Sequence, residues 1–218
     1  MTKRLRGKEI KYKKTKDKPF PKIYIFTEGD TEEIYLSHFD GKEYNVEILS
    51  VDSEHTDAVG IVRFAKEYIK KENIDLEYGD RGYCVFDSDP ESNTNIQEAF
   101  DLIAGAYEKG IRCIFSNPCF EIWFLLHIKE NAPCGLTAQQ MKSRLRKELK
   151  PFFPNYSETT DIYDWLKEKQ ENAHKRAERL HNSQKSAYDR VLSHECNPYT
   201  NIFEFLNYLE DLKRERGR

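Results

Sequence analysis

The chain lacks any apolar run long enough to span a membrane, and its basic N-terminus is not followed by the apolar segment of a secretory signal. Both absences predict a protein that stays in the compartment where it is made. The five cysteines are odd in number and include no Cys-x-x-Cys pair. That speaks against a disulfide framework or a zinc ribbon and for a reducing cytoplasm. Cys84 and Cys113 sit inside apolar stretches, where a thiol serves as a small hydrophobe. There is no G-x-x-x-x-G-K-[ST] phosphate loop, so any use of ATP would have to come from another chain. Internal repeats and low-complexity linkers are missing as well.

What is present suits one sizeable core, or a core with a helical extension, in 218 residues. Hydrophobic residues make up 38% and aromatics 13%, as in a globular chain, while 33% charged residues make a very polar surface. The net charge of −3 hides an uneven distribution. Residues 1–18 are dense in Lys and Arg, and a second basic cluster closes the chain at Lys213, Arg214, Arg216 and Arg218. Such arms either touch phosphate backbones, where each neutralised phosphate releases counterions, or are solvated tails.

Four strands alternate with helices over residues 22–128. The strands are "KIYIFTEG" (22–29), "NVEILSV" (45–51), "GYCVFDSD" (82–89) and "IRCIFSN" (111–117), with helices expected over 30–39, 57–73, 95–110 and 118–128. Asp30 and Glu33 form a capping-box pattern at the first helix, and Asn117 with Pro118 reads as cap and first position of the fourth. This alternation predicts an α/β fold: a mostly parallel four-stranded sheet flanked by helices. From about Leu136 the periodicity becomes purely helical, broken at Pro151, Pro154 and Pro198. The expected organisation is a basic arm at 1–20, an α/β core at 21–130 and a helical extension at 131–218 packed on that core.

Ligands of open parallel sheets bind at the carboxyl ends of the strands, and three acidic motifs fall there. Glu28 follows the first strand, Asp87 and Asp89 end the third, and Glu121 lies in the first turn or so of the helix after the fourth. Alternate residues of a strand share a face, so Asp-x-Asp can turn two carboxylates to one side. Such a crowd of carboxylates is most economically explained by a hard divalent cation, Mg²⁺ or Mn²⁺, which takes a few carboxylates plus water and phosphate oxygens. Glu28 precedes Gly29 and is not needed as a cap, and Glu121 keeps apolar company with Phe120, Trp123 and Phe124. Glu32 and Glu33 are explained by helix capping and the macrodipole alone, with Glu32 kept as a substrate-side candidate. Lys175, Arg176 and Arg179 could meet a phosphate or form a solvated helix face. His127 reads as a structural histidine, His194 and Cys196 are two zinc-type ligands without a second pair, and Trp165 and Tyr188 read as core or surface aromatics.

The motifs "TEGDTEEIYL", "FDSDPE", "SNPCFEIWFLLH" and "NPYTNIFEFL" together resemble the RloB-like proteins, encoded near restriction and phage-defence loci, over about residues 20–210. The strand–Glu–Gly and Asp-x-Asp elements resemble the Toprim fold of topoisomerases, primases and OLD-type nucleases. The resemblance implies a Toprim-like core with Glu28, Asp87 and Asp89 as the metal-binding acids and Glu121 beside them. It also implies that Asn117, Asn197 and Thr200 line the site. Pro90 stands directly after the Asp-x-Asp, where many Toprim proteins have glycine, and no counterpart of a topoisomerase tyrosine is present. The implied function is a Mg²⁺- or Mn²⁺-dependent nuclease acting on DNA or RNA in abortive infection. The alternative is a regulatory or nucleic-acid-binding subunit of the same fold that works with an AAA- or ABC-type ATPase. A third reading leaves the acids as capping and solubility features of a plain α/β scaffold.

Overall fold

The computed structural model describes residues 21–27, 29–40, 44–51, 57–76, 79–88, 95–106 and 110–216. The basic arm, Glu28, Asp89 and Arg218 lie outside the described residues. The elements run β1 Ile23–Thr27, α1 Asp30–Ser37, β2 Val46–Ser50, α2 Ala58–Lys71, β3 Arg81–Asp87, α3 Ile96–Ala104, β4 Ile111–Asn117 and α4 Glu121–Ile128. They continue with α5 Ala138–Leu149, α6 Tyr163–Lys167, α7 Gln170–Ala187, β5 Tyr199–Thr200 and α8 Ile202–Arg216. Among the described residues no helix is long and apolar enough to cross a membrane.

The sheet order is β2-β1-β3-β4-β5. The first four strands are parallel, and β5 is a two-residue antiparallel edge, with Ser116 opposite Thr200 and Asn117 opposite Tyr199. The expected four-stranded sheet therefore gains a fifth strand. Asn201 extends that edge with its side chain. Its Oδ1 accepts from the Phe115 N–H at 2.7 Å and its Nδ2 donates to the Cys113 carbonyl at 3.2 Å. Backbone groups of β4 are thereby satisfied without a longer strand.

Strand parity builds two cores. Ile23, Ile25, Tyr83, Val85 and Ile114 face α1 and the helices from α4 onward, whereas Tyr24, Phe26, Cys84, Phe86 and Phe115 face α2 and α3. The first cluster runs without a break from β1 to Leu212, taking in Met141 and Leu145 of α5 and Ala173 and Ala177 of α7. α2 is amphipathic, with Val59, Val62, Ala65 and Ile69 buried, and the Asp57 side chain caps it by accepting from the Gly60 N–H at 2.6 Å. β1 has β2 on one side and β3 on the other, while α1 and α2 cover opposite faces. The crevice at the carboxyl ends of β1 and β3 is therefore the topological switch point, where such sheets take their ligands.

Two helix starts differ from expectation. α1 is capped by Gly29 with no side-chain cap bond, and Asp30 is already helical. The capping box is absent because Glu33 accepts from the Ser50 hydroxyl at 2.7 Å instead. α4 begins at Glu121, three residues later than the Asn-Pro pattern suggests, with Phe120 at its cap. Asn117 is not free to cap it: its amide donates to the Ser193 and His194 carbonyls at 3.2 and 3.0 Å.

Candidate functional site

Asp87 has the parity of Tyr83 and Val85, so it ends β3 on the face covered by α1 and α4. There it meets Glu32 from the first turn of α1 and Glu121 from the first position of α4. Burial, then the charges of Glu32 and Glu121, raises the Asp87 carboxyl well above the usual carboxylate range. The Phe120 backbone N–H, which donates to Asp87, and the Lys142 ammonium pull the other way and do not prevail.

Glu121 is 2% exposed, and its Oε1 has no hydrogen-bond partner among the described residues. Lys142 of α5 stands 3.9 Å from that oxygen and donates to Glu158 at 3.1 Å. Burial works against the Lys142 charge, but Glu121 and Glu158 outweigh it and hold the ammonium protonated, above its usual range. Cys119 is buried beside the acids. Burial, with Glu121 and Asp87, pushes its thiol well up, so it is not a thiolate nucleophile. The Tyr156 phenol, also without a hydrogen bond among the described residues, is raised by burial and by Glu121 and Glu158.

Glu32 is 9% exposed, and its carboxylate folds back over Gly29 into the space a Cβ would fill. The backbone of Gly29 lies at φ −92°, which any residue adopts. The glycine is thus needed for room, and that room lets Glu32 turn toward Asp87.

The candidate residues sort into distinct places. Asp87, Glu121 and Glu32 converge, while Glu28 and Asp89 belong to the stretches outside the described residues. Asn117, Asn197 and Thr200 make internal bonds along the β4–β5 seam. Asn197 donates to the Leu136 carbonyl at 2.9 Å, and the fully buried Thr200 hydroxyl meets Ser116 and the Ile202 N–H. Arg176 donates to the Leu126 carbonyl at 2.8 Å and pairs with Glu130, as Arg179 does. That fastens α7 to the far end of α4 from Glu121. Lys175 pairs with Glu171 on its own helix. His194 Nδ1 bonds the Ser88 hydroxyl at 2.7 Å, and the Cys196 thiol donates to the Arg190 carbonyl.

Sequence reasoning missed Lys142, Tyr156 and Glu158. The one local signal was the Lys142–Arg146–Lys150 spacing, which puts three cations on a single helical stripe.

As chemistry, the carboxylates offer oxygen donors and mutual repulsion, and the buried Glu121 Oε1 is left without a hydrogen bond among the described residues. That donor set fits a hard divalent cation. Among the described residues, no three His, Cys, Asp or Glu side chains are grouped closely enough to enclose an ion by themselves.

No curated protein and no solved structure is detectably similar to the chain. The family model described as RloB-like protein matches residues 23–209. The site lies wholly within that span, and the chain belongs to the RloB-like family.

Proposed function

We propose that this protein is a divalent-metal-dependent nuclease that hydrolyses phosphodiester bonds of DNA or RNA. The observation that carries the reading is the convergence of Asp87, Glu32 and Glu121 at the switch-point crevice of a Toprim-like sheet, beside the charged Lys142. A plain scaffold has no use for gathering Glu32 and Glu121 around Asp87, whose carboxyl pKa is raised by burial and by their charges.

Asp87 would hold the ion together with Glu28 and Asp89, with Glu121 beside them. A bound Mg²⁺ or Mn²⁺ would supply charge neutralisation at the phosphate and a more acidic water. The chain's own residues do the rest. The Phe120 N–H and the strand end fix Asp87, Gly29 leaves room for Glu32, and Lys142 holds Glu121 in place while adding positive charge where a phosphate would approach. Phage defence is the role the family resemblance suggests for such an activity. The alternative reading is a non-catalytic or partner-activated regulatory or nucleic-acid-binding subunit working with an ATPase.

The test is cleavage of labelled DNA and RNA substrates by the full chain with added Mn²⁺ or Mg²⁺, against Asp87→Asn as control. Metal-dependent cutting by wild type that the variant loses supports the proposal. Equal cutting by both proteins, or none by wild type under any metal, counts against it.

A further inference from the structure

Lys142, Arg146 and Lys150 recur every fourth residue along α5 and its C-cap, so they form one stripe with a step of about 6 Å. The stripe begins at the carboxylate cluster, where Lys142 lies 3.9 Å from Glu121. It ends about 12 Å further on, beside a feature that packing does not explain. Phe152 is 60% exposed, the most exposed large hydrophobic among the described residues.

The turn after α5 sends Phe153 inward against Trp165 and leaves Phe152 outside, its ring 5.1 Å from Trp165. Lys169 lies 3.8 Å over the Trp165 ring and donates to the Trp165 carbonyl. One face of the tryptophan is therefore occupied, and Phe152 is the ring with an open face. Glu158 meanwhile reaches both Lys142 and Arg146, at 3.1 and 3.3 Å. Its carboxylate occupies the place that a phosphate would take between these two cations.

We propose that this surface binds a single-stranded segment of nucleic acid, with phosphates on the Lys142–Arg146–Lys150 stripe and an unstacked base on Phe152, and feeds it into the carboxylate crevice. The inference rests on the nuclease reading and narrows its substrate to strands with accessible bases. A duplex hides its base faces, so it could use the cations but not the ring. The stripe's regular step suits an extended backbone, and an exposed aromatic beside cations is the usual grip on one. Glu158 competes with the strand and restrains binding.

The experiment is fluorescence anisotropy of labelled single-stranded and duplex oligonucleotides with the full chain in EDTA, so that binding is read without cleavage. Single strands should bind more tightly than duplex. Phe152→Ala should weaken single-strand binding roughly tenfold, with unchanged thermal unfolding, and Phe152→Trp should restore it. Lys150→Gln should lower the salt slope by about 0.7. Glu158→Gln should tighten binding a few-fold, an outcome that a merely structural glutamate would not give.

Wild-type affinity for Phe152→Ala, or a preference for duplex, would overturn the proposal. So would no oligonucleotide binding at all, which would assign the stripe to an acidic protein partner instead. The two readings fail separately. Single-strand binding without metal-dependent cleavage would keep the platform and remove the nuclease. Cleavage with Phe152→Ala indistinguishable from wild type would do the reverse.

Discussion

Replacing Lys142 with Met removes the one cation within 4 Å of Glu121 among the described residues and keeps an unbranched side chain of similar length. At 3.9 Å, two unit charges attract by about 4 kcal/mol at an effective dielectric of about 20. Part of that attraction offsets the burial of Glu121, so the net loss should be about 2–3 kcal/mol. Glu158 is 40% exposed and its share of the pairing is screened, so it adds under about 1 kcal/mol. The assay is equilibrium urea unfolding in EDTA, where the loss should lower the midpoint by about 1 M. Glu121→Gln in the same chain removes the stranded charge. The double variant should recover more than half of the loss, with a coupling energy of about 1–2 kcal/mol. Lys142→Met within about 0.5 kcal/mol of wild type, or a double variant less stable than Lys142→Met alone, would refute the reasoning.

Three further outcomes are expected. Asp87 has its folded pKa raised by burial and by Glu32 and Glu121. Its contribution to stability is therefore present below the unfolded value and lost as pH rises through the folded one. Asp87→Asn in EDTA should accordingly raise Tm by roughly 2–4 °C near pH ~8 and by nothing near pH ~4; a pH-independent gain, or a loss, would contradict this. His127 is 3% exposed, and burial pushes its pKa down from 6.5 to about 4 despite the bond to the Trp123 carbonyl. The stability it confers is full above pH ~6.5 and declines toward pH ~4, by about 3 kcal/mol in all, so the difference in unfolding free energy between wild type and His127→Gln should shrink across that window. Gly29→Ala drives a Cβ into the Glu32 carboxylate while leaving an allowed φ. Metal binding and activity should fall while Tm moves by no more than about 2 °C.

The parts of the fold legible in the sequence are those set by local pattern. Apolar runs bounded by turns marked all four parallel strands, and β4 matches its expected span of 111–117. What could not be read depends on partners far along the chain. β5 pairs across 84 residues, from Thr200 to Ser116, and leans on one Asn201 side chain. Asn117 looks like a helix cap in isolation, yet its amide is taken by carbonyls 76 and 77 residues away. At the site, Asp87 and Glu121 were marked by their place at strand ends. Glu32 was discounted because capping explains any acid in a first turn, and only the space over Gly29 reveals its turn inward. Lys142 arrives from a helix that sequence alone assigns to an extension, so nothing near Glu121 in the chain announces it.

The measurement closest to the central claim is calorimetric titration of Mn²⁺ into wild type, Asp87→Asn and Glu121→Gln. The account predicts saturable binding in wild type, its loss in Asp87→Asn and a weakened but measurable affinity in Glu121→Gln. Binding of equal strength in wild type and Asp87→Asn, or no binding in wild type, would contradict it.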